Sequence, residues 1–300
     1  LPPSLAVNRS VMFSGFETQT IELSDTSVRC RVGGDGPPVL LLHGFPQTHA
    51  CWHQVAPELA KTHTVVVPDL RGYGESSPAR EDSVAAYSKR ALAGDQLELM
   101  DHLGHDRFVV VGHDRGGRVG YRLALDHPER VEKLVTLDII PTADMWAAAA
   151  DQPEDELRDW HWNVLARPEP EPEELLTGDY LFPEGSPSLS PHEIALAPDA
   201  LADYLAALDK PSVRHAMCQD YRAGATIDRE LDEKDLADGR TIECPVLVLW
   251  GNAGGLPRWG NPLEIWSRWS PTVEGEGLGC GHFIPEESPK TLVDRLTSFL

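Results

Sequence analysis

Short β-branched, apolar runs recur along the chain, each breaking into a polar loop and separated from the next by helix-length segments. "VRCRVGGDGPPVLLLHGFP" reads as a strand, a Gly/Pro turn and a second, fully apolar strand ending at His43-Gly44. "THTVVVPDLRGYG" and "DRFVVVGHD" repeat the pattern, and "EKLVTLDIIP" and "CPVLVLWGN" supply two further strands. Trp52 to Lys61 and Val84 to Leu103 have the length of helices, and Pro289 to Leu300 reads as a closing amphipathic helix. Strands alternating with helices in this way predict an α/β domain, a mostly parallel sheet covered by helices on both faces.

The alternation fails between about Thr142 and Arg229. This region holds Trp146, Trp160, Trp162 and the Pro/Glu-rich "ARPEPEPEELLTGDYLFPEGSPSLSP", with helical patches on either side. The tryptophans and helical spacing argue against a disordered linker. The expectation is an inserted helical cap, residues 142–229, over the C-terminal edge of the sheet, with the core formed by 1–141 and 230–300.

Composition narrows the partners. The formal charge of −22 leaves no basic face for nucleic acid or an anionic membrane. No apolar run approaches the span of a bilayer, and "LPPSLAVNRS" lacks the layout of a signal peptide, so a cytoplasmic, water-soluble protein is expected. The five scattered cysteines form no C-x-x-C pair, which fits reduced thiols better than disulfides or a zinc site.

In "VVVGHDRGGRVGYRLAL" a buried strand runs into a helix through Gly112-His113-Asp114-Arg115-Gly116. This is a G-x-S-x-G elbow with aspartate in the place of serine. Asp114 could simply cap the helix that follows, but the flanking glycines favour an exposed, strained nucleophile. The residue type selects the chemistry. Serine attacking a carbon that bears a halide or epoxide oxygen would leave an ether, whereas a carboxylate leaves an ester that water can cleave. Asp114 therefore points to displacement at saturated carbon followed by hydrolysis. His282, in the glycine-rich "GLGCGHFIPEESP" late in the chain, is the candidate base. Asn252 follows a strand where a triad acid often stands but carries no charge. Asp138, emerging from "VTLDIIP", is the candidate to orient His282, the alternative being an Asx turn. His43 and His113 are expected to serve packing and turn geometry.

Taken in order, "LLHGFPQ", "PDLRGYGES", "GHDRGGRV", "LDIIP" and "GHFIPEE", with the cap segments "WHWNVLARP" and "MCQDYRAGA", span nearly the whole chain. The sequence resembles the α/β-hydrolase superfamily and, within it, the fluoroacetate (haloacetate) dehalogenases. The resemblance implies short 2-haloacids as substrates, no metal or organic cofactor, and a homodimer. It assigns Asp114, Asp138 and His282 as nucleophile, acid and base. It places the N–H groups of Phe45 and Arg115 in an oxyanion hole, and His161, Trp162 and Tyr221 in a halide pocket.

Arg115 and Arg118 support an anionic substrate without the resemblance. Both lie in the first helical turn, where the macrodipole disfavours cations. A substrate carboxylate at about 5 Å from Asp114 would be repelled by about 3 kcal/mol at an effective dielectric near 20. Two forked guanidiniums can offset this, although they could instead be surface residues paired with acids. Helical spacing places Leu157, Trp160, His161, Val164 and Leu165 on one face, so His161 and Trp162 would approach a halide from its shoulder. Trp162 could equally be cap packing. Three other readings compete. A haloalkane dehalogenase usually carries tryptophan after the aspartate, where Arg115 stands. An epoxide hydrolase needs two acidic O–H donors, and Tyr180, Tyr204 and Tyr221 are available. A non-catalytic binding protein would have lost a triad member.

Overall fold

The computed structural model describes residues 12–153, 160–177, 181 and 196–300. Eight strands form one sheet in the order β1-β2-β4-β3-β5-β6-β7-β8, comprising Glu17–Glu22, Ser27–Gly33, Thr64–Pro68, Pro38–Leu42, Phe108–His113, Val131–Leu137, Val246–Gly251 and Val273–Leu278. The first two strands are antiparallel to their neighbours and the remaining pairs are parallel.

Strands buried on both faces need apolar residues at every position, and successive side chains then point to opposite sides. Leu40, Leu42, Val110, Leu134 and Val248 belong to one core, with Leu92, Leu99, Val119 and Leu123 from the helices Lys89–His102 and Arg115–Asp126. Their neighbours Val39, Leu41, Val111, Val135 and Leu249 belong to the other, with Leu292 and Leu296 from the helix Pro289–Phe299. Helices thus cover both faces, as expected.

Two helical expectations need correction. Trp52 to Lys61 is not one helix but follows a 3-10 turn, His49–Trp52, and contains a short helix, Ala56–Leu59. Val84 to Leu103 is divided at Ser88, whose hydroxyl accepts from Ala91 N–H and caps the helix Lys89–His102.

Between β6 and β7 the described residues form the helices Thr142–Ala150, His161–Leu165, Glu171–Leu175, Pro198–Leu208, Pro211–Ala225 and Ile227–Ala237. The last spans the expected boundary at 229/230. Paired registers such as Leu42 with Gly112, His113 with Leu137, and Leu137 with Leu249 align the carboxyl ends of β3, β5, β6 and β7. The loops leaving the first three carry Phe45, Asp114 and Asp138, and β7 ends at Gly251.

Candidate active site

Asp114 turns the chain from β5 into the helix Arg115–Asp126 with φ 45° and ψ −115°. Among the described residues the only non-glycines with positive φ are Asp114 and Asp138, the latter at 53°. Each such residue costs about 1–3 kcal/mol and persists where surrounding structure enforces it. Here the enforcement is close backbone approach. A Cβ on Gly116 would lie 2.4 Å from the His43 carbonyl oxygen, and one on Gly44 2.5 Å from Asp114 Cβ. That approach brings the Phe45 N–H onto the carboxylate, donating to Oδ2 at 2.9 Å. The Arg115 N–H, the other expected oxyanion donor, makes no bond to Asp114 among the described residues. Burial alone would raise the Asp114 pKa, but the charges of His282, Arg115, His113 and Arg118 outweigh it and hold the carboxyl at about 2.

Asp138 divides its oxygens between backbone and imidazole. Gly251 N–H donates to Oδ1 at 2.9 Å, and His282 Nδ1–H donates to Oδ2 at 2.6 Å. Burial would lower the His282 pKa. The bond to Asp138 and its charge, aided by Asp114 and Glu287, raise it instead. The loop carrying His282 is held from both sides, because Glu287 accepts Gly281 N–H at 2.6 Å and Phe283 N–H at 2.9 Å. His113 Nε2–H donates to the His282 carbonyl at 2.8 Å, and burial lowers its own pKa to about 4, so it braces the loop as a neutral ring. His43 accepts Leu70 N–H at 3.0 Å and donates to Gly44 O at 3.0 Å, as turn geometry requires. Asn252 is exposed.

The two arginines differ. Both are fully buried. Arg115 grips Asp220 of the cap helix Pro211–Ala225, with Nε to Oδ2 and Nη2 to Oδ1 both at 2.9 Å, and only Nη1 lacks a partner. Lys89 and Tyr73 from the core bind the same carboxylate. Arg118 has no carboxylate partner among the described residues. Its Nη1 donates to Ile140 O at 2.9 Å and Thr142 Oγ1 at 3.2 Å, its Nε is unpartnered, and its guanidinium lies 4.4 Å from the Trp162 ring. Burial disfavours charge on both guanidiniums. Asp220 overcomes this at Arg115 and raises its pKa, whereas at Arg118 the pKa falls, with Arg115 adding to the effect.

A cavity of about 470 Å³ opens over these groups. Asp114, Arg118, Asp138 and His282 line it; Arg115 stands behind. His161, Trp162 and Tyr221 line it too, with the Tyr221 ring centroid 5.8 Å from that of His161 and 6.0 Å from that of Trp162. The expected helical face needs correction: the helix begins at His161, and Trp160 precedes it in extended conformation with φ −64° and ψ 127°. Leu157 lies outside the described residues. His161 is exposed to the cavity, and loss of bulk water, with the charges of His282, Arg115 and Arg258, holds its pKa at about 4 against the pull of Asp114. Asp220 and Glu287 escaped the reading of the sequence. A charge in the otherwise neutral "AMCQDY" was the one available signal for Asp220.

Comparison with known proteins places the chain in a family. A family model described as alpha/beta hydrolase fold covers residues 37–289. Fluoroacetate dehalogenase of Burkholderia sp is 42% identical, covering 96% of this chain and 95% of its own. Soluble epoxide hydrolase of Corynebacterium sp. (strain C12) is 33% identical over 89% of this chain and 91% of its own. A mutant of a putative epoxide hydrolase from Pseudomonas aeruginosa, solved with bound MFA, superposes with a TM-score of 0.85 at 43% identity, covering 96% of each chain. The protein belongs to the α/β-hydrolase superfamily and is homologous along nearly its whole length to fluoroacetate dehalogenase.

Proposed function

We propose that this protein hydrolyses short 2-haloacids, converting a haloacetate to glycolate and halide. Oδ1 of Asp114 bonds to carbon 2 of the substrate as the carbon–halogen bond breaks, and the halide leaves with the electron pair. His282 Nε2 then takes a proton from water attacking Asp114 Cγ and negative charge grows on Oδ2; as the adduct collapses the Cγ–Oδ1 bond breaks, the leaving alkoxide takes the proton back from His282, and glycolate departs. Arg118, a buried cation with no carboxylate partner among the described residues, receives the substrate carboxylate, and Arg115 behind it adds its positive charge. Neutral His161, Trp162 and Tyr221 donate toward the departing halide.

One observation carries the reading: the Phe45 N–H donates to the enzyme's own Asp114 Oδ2. An oxyanion donor placed there serves an ester whose carbonyl belongs to the protein. With His282→Ala and fluoroacetate or chloroacetate, the intact protein should gain one carboxymethyl group on Asp114. Unmodified protein together with stoichiometric halide would refute the mechanism.

Epoxide hydrolysis by the same nucleophile is the second reading, favoured by Tyr221 over Asp114 and by the epoxide hydrolase relative. Among the described residues, however, Tyr221 is the only tyrosine lining the cavity. Tyr204 is buried beside Glu286 and Cys51, and Tyr180 lies outside the described residues. A non-catalytic role is disfavoured by the assembled Asp114, His282 and Asp138. The proposal includes a cytoplasmic homodimer acting on a small anion. The described helices include none long and apolar enough to cross a membrane, and all five cysteines are buried and unpaired.

A further inference from the structure

The cavity exceeds what a two-carbon acid needs. Its volume of about 470 Å³ falls among sites that enclose drug-sized ligands, about 300–1,000 Å³. Its far wall is the 3-10 turn Leu256–Trp259, which follows β7 and contributes Arg258 to the lining. The Arg258 guanidinium lies 4.7 Å from the Trp259 ring centroid. It also folds over Gly255, where a Cβ would stand 3.8 Å from Nε and 4.0 Å from Nη2. On the preceding Gly254, a Cβ would stand 3.5 Å from Asp138 Oδ2 and 3.4 Å from His282 N. The guanidinium therefore sits one residue along the same loop from the Asp138–His282 pair. Its charge also reaches His161, disfavouring that ring's protonation.

The Arg258 side chain is exposed and has no hydrogen-bond or ion-pair partner among the described residues, in a chain whose net charge is −22. Pinned on an aromatic face, its forked donors are pre-organised for an anion. Among the described residues the cavity thus holds two cations without carboxylate partners, the buried Arg118 and the exposed Arg258. We propose that Arg258 forms a second anion subsite, so that the cavity takes 2-halo dicarboxylic acids with the distal carboxylate on Arg258. This rests on the dehalogenation proposed above. With 2-chlorosuccinate, an Asp114 oxygen bonds to carbon 2, chloride leaves with its electron pair, and water releases malate from the ester.

The test compares 2-chlorosuccinate with 2-chloropropionate, which shares the substituted carbon but has one carboxylate. Arg258→Leu should lower kcat/KM for chlorosuccinate about tenfold or more, chiefly through KM, the worth of one charge-assisted hydrogen bond. The loss on chloropropionate should stay within about threefold, as for a screened surface charge, and Arg258→Lys should recover part of the chlorosuccinate loss. Equal losses on both acids would show a general attraction at the cavity mouth and overturn the subsite, as would no loss on either. Calorimetric titration with malate and glycolate reads the subsite without turnover: Arg258→Leu should weaken malate and spare glycolate. If neither acid is turned over, the dehalogenase reading falls, and the subsite stands or falls on the malate titration.

Discussion

Replacing Asp138 with asparagine keeps the side chain's shape, and its surroundings dictate how the amide must turn. Gly251 N–H can only donate, and it holds the Oδ1 position at 2.9 Å, so the amide oxygen belongs there. The NH2 group then faces His282 Nδ1, which stands 2.6 Å from Oδ2 in the native protein. Two donors cannot bond to each other. The imidazole must move its proton to Nε2, the nitrogen assigned to take the proton of water. The lost charge acts in the same direction. A carboxylate and an imidazolium at about 4 Å attract by about 4 kcal/mol at an effective dielectric of 20, worth about three powers of ten in rate. Ester hydrolysis should therefore slow by about 10³–10⁴-fold, the scale known for a neutralised triad aspartate. The displacement step uses neither residue and should survive. Mixed with excess chloroacetate, the variant should release one equivalent of chloride rapidly and then nearly stop, with the ester visible on Asp114 by intact mass. Wild-type protein should approach the same arrest as pH falls. Asp114, at about 2, stays ionised, while His282, its pKa raised, takes up a proton and ceases to be a base. The acid limb of turnover should thus lie above the ordinary histidine value, and in Asp138→Asn the residual turnover should carry it to lower pH. If the first equivalent of chloride slows as much as turnover does, Asp138 serves the displacement or the fold, and the argument fails.

The two arginines should separate in one pair of assays. Arg115→Leu takes one of two cations from a fully buried Asp220, leaving it Lys89 and Tyr73, so it should lower stability by about 3 kcal/mol in a denaturant melt. Arg118→Leu removes a cation with no carboxylate partner among the described residues and should move the melt less than Arg115→Leu, yet reduce kcat/KM for haloacetates about a hundredfold while sparing a neutral epoxide or haloalkane. Equal losses on charged and neutral substrates would assign both residues to the fold. Trp162→Phe and Tyr221→Phe should slow fluoride release about tenfold more than chloride release, because tightly hydrated fluoride depends more on donors aimed at it. Equal slowing of both halides would leave these residues as cap packing.

The central parallel strands were legible because burial on both faces makes them largely apolar. The edge strands β1 and β8 were not, since "ETQTIE" and "VEGEGL" are largely solvent-facing and carry charges where the others carry valine and leucine. The helix expected from Trp52 failed because apolar residues in a short connection, packed on the sheet, do not require helical backbone throughout. Asp114, Asp138 and His282, which the structure brings together, could be nominated because each leaves a strand or loop with its own local signature. Asp220 could not. Its meaning comes from Arg115, 105 positions away, and exists only once the cap closes on the core. Arg258 is equally silent in sequence, since nothing in "GGLPRWG" says that its loop walls a cavity.

The hydrogen bond from Phe45 also makes the two oxygens of Asp114 unequal. In water a carboxylate is symmetric, but here Oδ2 is anchored and Oδ1 is left to react. Under the proposed chemistry Oδ1 departs inside each molecule of product, and solvent supplies its replacement. Oδ2 stays. The catalyst would then renew one atom of its own covalent structure at every cycle while the neighbouring atom remains as the ribosome left it. In that sense the protein would act as a reagent that water regenerates.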